Sequence, residues 1–352
     1  MKILNVYKWA TVGGVERVIL NRASAFKKHG VAVRQDVFFF HDSGGLSNFK
    51  KFIAFAGLDE YINIVSKVDE RNYDYIISFD TPEIFDMIKN HSKVVIECHS
   101  PYKESRAYLK SLPSDIACIA SPGETFQKTV VRNEIREDLT DKLRVLPNFH
   151  IMDIDILHPQ SSAPGGDEAK IWGKKPICYI GRMDSMKNTK ELFEIFIKLR
   201  AQSDDYFLLL CGDVRPHYMD LKETLRKAEV EDRVAYLRPI PYEKVDALLR
   251  KVLAHEGIFV SPSLGESFGL SALEAMTNKV PVLLSDIECH KTLVQENSDF
   301  LYSSGDTKQA AEKIMGISRS YDVLSAQTAK LASVYSSSDF INAWERMIES
   351  FD

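Results

Sequence analysis

Short apolar runs alternate with helix-like stretches along the whole sequence, and this alternation constrains the fold more than any other feature. KILNVY from Lys2, YDYIISF from Tyr73 and KVVIEC from Lys93 are apolar over most of their length. Runs of this kind are typical of strands that are covered on both faces, as in parallel sheets. Since helical segments separate them, the sequence predicts an α/β protein built from βαβ units.

The alternation is interrupted once. LHPQSSAPGGDEAKIWGKK, from Leu157, concentrates Pro, Gly and Ser and is typical of a linker. Strand-like runs resume with PICYIGR, YFLLLCG and GIFVSPS. We therefore predict two doubly wound domains, at 1–156 and 175–337, with a linker at 157–174. Ligands of such sheets bind outside the carboxyl ends of the strands, so the expected site is the cleft between the domains.

Composition excludes several classes of protein. The formal net charge of −5, from 45 Lys and Arg against 50 Asp and Glu, argues against a nucleic-acid partner. The start, MKILNVYKWA, lacks a long apolar segment and is interpreted as a first strand, not a signal peptide. A cytoplasmic protein is expected, with its cysteines reduced and in the core. The cysteines are Cys98, Cys118, Cys178, Cys211 and Cys289.

Two loops at predicted strand ends carry features of an anion site. In KWATVGGVERV, Gly13 and Gly14 leave backbone N–H groups open to a bound group, although a structural turn is the alternative. In YIGRMDSMKNTKEL, Arg182 and Lys187 precede a helix, where their charge adds to the helix dipole. A solvated basic loop is the alternative for the second segment.

Two further loops carry candidate substrate contacts. His99 follows a buried-type strand in VIECHSPY, where a hydrogen-bonded core histidine is the alternative. In SPSLGESFGLSALEAM, Glu266 and Glu274 lie on either side of a loop-to-helix junction. If the helical path extended back to Glu266, the eight residues would rise about 12 Å, roughly the length of a nucleotide sugar from ribose to sugar ring.

This last spacing suggests a division of labour. Carboxylates accept hydrogen bonds from vicinal hydroxyls, so each glutamate would hold a polyol. The N–H groups at the helix start would point at phosphates between them. Those N–H groups belong to Gly269, Leu270 and Ser271. The alternative is a pair of surface glutamates that stabilise the helix dipole.

These motifs resemble, in order, those of retaining GT-B glycosyltransferases of family 4. GESFGLSALEA resembles the E-x7-E motif, GRMDSMKNTKEL the donor loop, GGVERV the glycine loop and RVLPNF the segment before the linker. The resemblance covers nearly the whole chain. It implies a GT-B fold with two Rossmann-like domains, a donor bound mainly to the second, and a last helix, 338–352, that crosses back to the first.

The resemblance also implies roles for the residues. Arg182 and Lys187 would bind the diphosphate and stabilise the departing nucleotide. Glu274 would hold the ribose and Glu266 the transferred sugar. His99 would hydrogen-bond that sugar from the opposite domain, and Gly14 would lend its backbone to the phosphate. The expected reaction retains the anomeric configuration, needs no metal or cofactor, and uses a UDP- or GDP-sugar as donor.

The sequence departs from the family pattern at several points. Asn188 follows Lys187 where glycine is common, Thr277–Lys279 replaces a small residue and glycine, and the usual second glycine after Gly212 is missing. Asp153–Asp155 reads DID, which mimics a metal motif but is interpreted as chance because no buried strand precedes it.

The acceptor would be a glycan, a lipid-linked glycan or a small molecule, bound to the first domain. Ser47–Ile62 combines lysines with aromatic residues, which fits either peripheral contact with the cytoplasmic face of a membrane or an ordinary amphipathic helix. Tyr102, Lys103 and Arg106 are candidate acceptor contacts or a solvated loop. Two other functions remain open: a sugar-nucleotide epimerase, and a non-catalytic subunit that binds sugar nucleotides.

Overall fold

The computed structural model describes residues 1–151, 172–215 and 217–351. The chain divides into two compact units: unit 1 is Met1–Ile151 with Tyr335–Asp352, and unit 2 is Met152–Val334. Each unit holds one parallel sheet with helices, which confirms the predicted α/β class. The Asp153–Asp155 segment and most of the predicted linker lie outside the described residues.

Unit 1 is built on a seven-stranded parallel sheet of order β3-β2-β1-β4-β5-β6-β7. Strand β1 pairs with β2 on one side and β4 on the other, so that Val6 lies opposite Phe38 and Ser78. The strands are β1 Lys2–Ala10, β2 Arg34–Asp42, β3 Ile62–Ile64, β4 Tyr75–Phe79, β5 Val94–Glu97, β6 Cys118–Ser121 and β7 Leu143–Val145. The β1, β4, β5 and β6 strands are largely buried, as their apolar sequences predict.

Before its C-terminal segment, unit 1 has one long helix, the first, and three shorter ones. They are α1 Gly14–His29, α2 Leu46–Phe55, α3 Glu124–Phe126 and α4 Arg132–Glu134. A π turn, Gln127–Val131, joins the last two. Single-turn or longer 3₁₀ segments are Glu70–Asn72, Pro82–Asp86, His91–Lys93, Glu104–Ser111 and Glu137–Lys142.

Helix α2 overlaps the Ser47–Ile62 segment and packs as an ordinary amphipathic helix. Phe49, Phe52 and Ile53 are buried in unit 1, and the Phe49 ring contacts that of Phe39 at a centroid distance of 5.4 Å. Lys50 and Lys51 are exposed. The apolar face is therefore used within the unit.

Unit 2 is built on a six-stranded parallel sheet of order β10-β9-β8-β11-β12-β13. The strands are β8 Lys175–Ile180, β9 Tyr206–Cys211, β10 Val234–Leu237, β11 Ile258–Ser261, β12 Val282–Ser285 and β13 Leu301–Tyr302. The helices are α5 Thr189–Arg200, α6 Leu221–Lys227, α7 Val245–Ala254, α8 Leu270–Thr277, α9 Glu288–Leu293, α10 Thr307–Arg319 and α11 Tyr321–Ala332. Helix α5 packs on α10, and α8 packs on α11.

The last helix, α12 Ser337–Glu349, belongs to unit 1, which confirms the predicted return of the chain. Its N-cap Ser336 Oγ accepts a hydrogen bond of 3.1 Å from Asp339 N. Phe340 and Trp344 pack against Phe26 of α1, with ring centroids 5.6 and 5.3 Å away. Burial of this aromatic stripe, not helix propensity, fixes α12 on unit 1.

Two further findings concern the described residues. None of the helices in residues 1–151, 172–215 and 217–351 is long and apolar enough to cross a membrane.

All five cysteines are free thiols, and Cys98, Cys118, Cys178 and Cys211 are buried. Cys289 is only half-buried, so the expectation of a core cysteine is wrong for that residue.

Replacing Trp344 tests how far α12 stabilises unit 1. The side chain is 2% exposed, so Trp344→Ala removes a large buried ring and leaves a cavity. We expect the free energy of unfolding to fall by about 3–5 kcal/mol. Urea unfolding followed by circular dichroism measures this change. The control is Val323→Ala on α11, where the side chain is 70% exposed and the expected change is within about 0.5 kcal/mol. Equal stability of the two variants would contradict the prediction.

Candidate active site

In unit 2, the start of helix α8 has the features of an anion site. Gly269 precedes the helix with φ of 93°, a left-handed conformation that favours glycine. No side chain caps this end, and the first helical bond runs from Leu273 N to Gly269 O. The N–H groups of Leu270 and Ser271 precede that bond, so they can serve an anion. Glu266 lies in the loop before the helix, so the conditional 12 Å helical rise does not apply.

Glu266 lies in a hydrogen-bonded pocket of this loop. Its Oε1 accepts from Lys187 Nζ at 2.5 Å and from Ser263 Oγ at 2.8 Å. Its side chain is 13% exposed. The interpretation of Glu266 as a solvated surface glutamate therefore does not describe this structure.

Opposing effects set the charge of Glu266. Burial raises the pKa of its carboxyl, but the charges of Lys187 and His290 and the hydrogen bonds from Lys187 and Ser263 outweigh burial. The net result is a pKa below the ordinary value. Glu266 is thus ionised at neutral pH and acts only as an acceptor.

The Arg182–Lys187 loop is held next to the Glu266 loop. Asp184 Oδ1 accepts from Lys187 N at 3.0 Å, and Asp184 Oδ2 lies 3.6 Å from Arg182 Nε. Met186 O accepts from Leu264 N at 2.8 Å, which joins the two loops through their backbones. The Arg182 side chain remains 45% exposed. The loop therefore presents one exposed and one half-buried cation beside the start of α8.

Asn188 explains one departure from the family pattern. It precedes α5 with φ of 51°, in the left-handed region that Gly adopts most easily and Asn next. Its Nδ2 donates to Glu191 Oε2 at 2.5 Å. Asn188 therefore keeps a backbone conformation that glycine would also adopt.

Glu274 lies within α8, eight residues after Glu266, and is 6% exposed. Its backbone carbonyl accepts from Asn278 N at 3.2 Å and from Asn278 Nδ2 at 2.9 Å. Asn278 in turn donates to Asp246 Oδ1 at 2.8 Å. Asn278 stands in the segment that departs from the family pattern, and here it ends α8 and ties it to α7.

In unit 1, the glycine loop leads from β1 into α1. Glu16 Oε1 accepts from the backbone N–H of Thr11 and, at 2.7 Å, from its Oγ1, which shapes the loop. A Cβ atom on Gly13 would lie 2.8 Å from Thr11 Oγ1, whereas a Cβ on Gly14 would meet no atom within 4 Å. Gly13 is thus closely packed, and Gly14 borders open space from which a group could reach the backbone.

His99 follows β5 in unit 1 and is fixed from two sides. Its backbone N donates to Asp80 Oδ2 at 2.9 Å, and its Nε2 lies 2.8 Å from Glu97 Oε1. The side chain keeps 8% of its surface exposed. His99 is therefore hydrogen-bonded like a core histidine yet retains a small accessible surface.

Sequence reasoning missed the residues that support these groups. The sequence analysis did not predict these residues, which are Asp184, Ser263, Glu16 and Glu97. For Glu97 a signal was present, because this charged residue ends the apolar run VVIE. Each of these four residues hydrogen-bonds to a predicted site residue or to the loop that carries one.

One candidate acceptor contact has another role. Arg106 is buried and donates to both carboxylate oxygens of Glu134, at 2.9 and 2.7 Å, and to Ser100 O. Its charge is compensated within unit 1, so it does not fit the predicted role in binding an anionic acceptor. Lys103 remains exposed.

Over the described ranges, no group of three or more His, Cys, Asp or Glu side chains could hold a metal ion.

Comparison with protein families and curated proteins identifies partial matches. Residues 167–330 match the model of Glycosyl transferases group 1. The serotype-specific mannosyltransferase WbdA of Escherichia coli is 27% identical over 169 residues, 47% of this chain and 20% of that protein. The phosphatidylinositol N-acetylglucosaminyltransferase GPI3 subunit of Saccharomyces cerevisiae is 26% identical over 201 residues, 55% of this chain and 41% of that protein. The chain thus spans less than half the length of these relatives.

The similarity to a solved structure extends over nearly the whole chain, unlike the partial sequence matches. Anabaena Alr3699/HepE, crystallised in complex with UDP and glucose, has a TM-score of 0.78 at 15% sequence identity. The match covers 99% of this chain and 100% of that one. The chain therefore has the GT-B fold, and its residues 167–330 have the sequence pattern of Glycosyl transferases group 1.

Proposed function

We propose that this protein is a retaining glycosyltransferase of family 4 that moves a sugar from a nucleotide-diphosphate sugar to an acceptor hydroxyl without a metal. The observation that carries the proposal is the contact of Lys187 with the largely shielded Glu266 beside the uncapped start of α8. This arrangement places cation, carboxylate and free N–H groups within one pair of loops. Those are the groups that a diphosphate linked to a polyol requires.

The cations act on the leaving group. Negative charge grows on the nucleoside diphosphate as the glycosidic bond breaks, and donors already in place stabilise it without reorganisation. The Lys187 ammonium has three N–H donors and gives one to Glu266, so two remain for phosphate oxygens. Arg182, with its exposed guanidinium, adds a second cation. Leu270 and Ser271 contribute backbone N–H groups.

The carboxylates position the two ends of the donor. Glu266 is ionised and accepts hydrogen bonds from hydroxyls of the transferred sugar, while its contact with Lys187 fixes it beside the phosphate. Glu274 holds the ribose hydroxyls. Gly14 offers its backbone to the phosphate across the open space beside it, and His99 hydrogen-bonds the sugar. We assign no enzymic nucleophile.

The donor is proposed to be a UDP- or GDP-hexose. The solved structure of HepE holds UDP and glucose, and the partly matching relatives are named as mannosyl- and N-acetylglucosaminyltransferases. The acceptor is proposed to be a growing glycan or a lipid-linked glycan, with the protein acting in the cytoplasm or at the cytoplasmic face of a membrane.

A panel of nucleotides and nucleotide sugars tests this function. The correct nucleoside diphosphate binds the folded state and should raise Tm, by mass action, as its concentration exceeds Kd. The cognate donor should then be consumed in the presence of an acceptor glycan, with the product anomer assigned by NMR. Donor converted to an epimer without acceptor would indicate the epimerase instead. Stabilisation with neither hydrolysis nor transfer would indicate the binding subunit.

Removing the Lys187 charge tests the leaving-group role. We expect Lys187→Ala to lower kcat by about 10²–10³-fold, because one preorganised donor to the developing charge is lost. Steady-state kinetics with the cognate donor measures the effect. The matched control is Lys198→Ala. Lys198 is an exposed lysine near the C-terminal end of α5, the helix that follows the Lys187 loop. Turnover of Lys187→Ala within threefold of the control would exclude this role.

Adding a methyl group at Gly14 tests the backbone contact. Gly14→Ala meets no atom within 4 Å, so we expect unchanged or slightly higher Tm. We also expect about a tenfold or greater fall in kcat/KM, because the methyl group occupies the space through which phosphate approaches. Gly316→Ala in α10 is the control, since its Cβ also meets nothing. A Gly14→Ala enzyme as active as this control would rule out the contact.

A further inference from the structure

A buried ion pair in unit 1 contacts the His99 ring. Arg22 Nη1 donates to Glu97 Oε2 at 2.7 Å, and Arg22 Nη2 donates to Glu97 Oε1. The Arg22 and Glu97 side chains are 2% and 0% exposed. The same Oε1 lies 2.8 Å from His99 Nε2. The three residues form a continuous chain, Arg22 to Glu97 to His99, which we call the unit 1 triad.

The triad is sealed from water on the side of Arg22. The guanidinium carbon lies 5.6 Å from the Phe79 ring centroid and 5.2 Å from that of Phe340. The Phe79 ring also contacts His99, with centroids 5.5 Å apart. Desolvating two charges costs free energy, and a neutral pair of residues could fill the same volume. Because its contribution to stability is small or negative, the ion pair is a candidate for a role in positioning its neighbours.

The charge of Glu97 determines which nitrogen of His99 carries a proton. Burial raises the pKa of Glu97, but the charge of Arg22 and the hydrogen bonds from Arg22 and His99 outweigh burial and bring it to about 2. An ionised carboxylate accepts hydrogen bonds and cannot donate them. The short contact with Glu97 Oε1 therefore requires the proton to be on His99 Nε2.

The remaining charged groups around His99 have partners other than its ring. Arg22 already supplies the positive charge that compensates Glu97. Asp80 contacts His99 through the backbone N–H, and burial raises the pKa of its carboxyl. The other oxygen of Asp80 accepts from Tyr108 OH at 2.9 Å, so a neutral donor also serves it. Cys98, the neighbour in the chain, is buried, and burial raises the pKa of its thiol. In a neutral ring with Nε2 protonated, Nδ1 bears a lone pair.

We propose that Glu97, held by Arg22, is a positioning residue that fixes His99 as the Nε2–H tautomer, so that Nδ1 accepts a hydrogen bond from a hydroxyl of the sugar substrate. None of the described residues hydrogen-bonds to Nδ1, and the His99 side chain retains accessible surface. The inference rests on the proposed function for the identity of the ligand. The tautomer itself does not depend on it.

Imidazole ¹⁵N spectra of the full chain test the tautomer without any substrate. With ¹⁵N-labelled histidine near pH 8, His99 is assigned as the signal missing from His99→Asn. We expect a protonated Nε2 and an unprotonated Nδ1, whose resonance lies well downfield. The opposite tautomer, or an imidazolium at that pH, overturns the proposal even if the protein proves to be a glycosyltransferase.

Two substitutions at His99 separate the nitrogens by function. His99→Asn places an amide oxygen near the Nδ1 position, whereas His99→Gln places its amide near Nε2 and keeps only the contact with Glu97. We expect His99→Asn to retain about tenfold higher kcat/KM than His99→Gln, the effect of one ordinary hydrogen bond. The reverse order, or equal activity, overturns the role of Nδ1. Nucleotide-induced Tm shifts in both variants show whether the proposed donor site itself remains intact.

Neutralising the ion pair tests the positioning role. Glu97→Gln alone leaves Arg22 buried and unpaired, and the variant is at risk of not folding. The double variant Arg22→Met with Glu97→Gln removes both charges at similar volume and is expected to fold. We expect its His99 to populate both tautomers and its kcat/KM to fall, while nucleotide still raises Tm. A single Nε2–H tautomer with wild-type kcat/KM in this variant would refute the role of the pair. Absence of nucleotide binding in the wild type would instead refute the proposed function.

Discussion

Parallel strand pairing is the constraint on which the candidate site depends. In a parallel sheet all carboxyl ends lie at one edge, so loops that are distant in sequence become neighbours there. In unit 2, β8 pairs directly with β11. The loops after these two strands carry Lys187 and Glu266, 79 positions apart, and bring them into contact. The same geometry in unit 1 places the loop after β1 and the loop after β5 at one edge of that sheet.

Ion pairs with little solvent exposure lie near the carboxyl ends of strands in both sheets. In each pair the cation keeps the carboxylate ionised, although desolvation opposes its charge. The pairs are Lys187 with Glu266 and Arg22 with Glu97. Ionised carboxylates can hold polyol hydroxyls or orient an imidazole. In unit 1 the aromatic stripe of α12 takes part, because Phe340 lies over the Arg22 guanidinium. The C-terminal helix thus contributes to the environment of His99 as well as to the stability of unit 1.

Much of the fold was predictable because strand and helix patterns are local. Apolar runs marked β1, β4, β5, β8, β9 and β11, and the aromatic stripe of α12 was visible at helical spacing. The chemistry of the loops was visible too, since Gly269 and Asn188 suit positive φ and Arg182 and Lys187 are cations before a helix. The short strand β3 and the 3₁₀ segments carried no such pattern, because tertiary packing outweighs local propensity there.

The sequence by itself determined which residue types stand at the ends of the strands and that the central strands are parallel and buried. Tertiary structure alone decided which charges meet. Arg22 and Glu97 lie 75 positions apart, and nothing local in either segment indicates the other. Likewise, only packing decided that Arg106 is neutralised by Glu134 while Arg182 stays exposed. The physical reason is that Coulomb energies and desolvation depend on distance and burial in space, which a linear pattern does not contain.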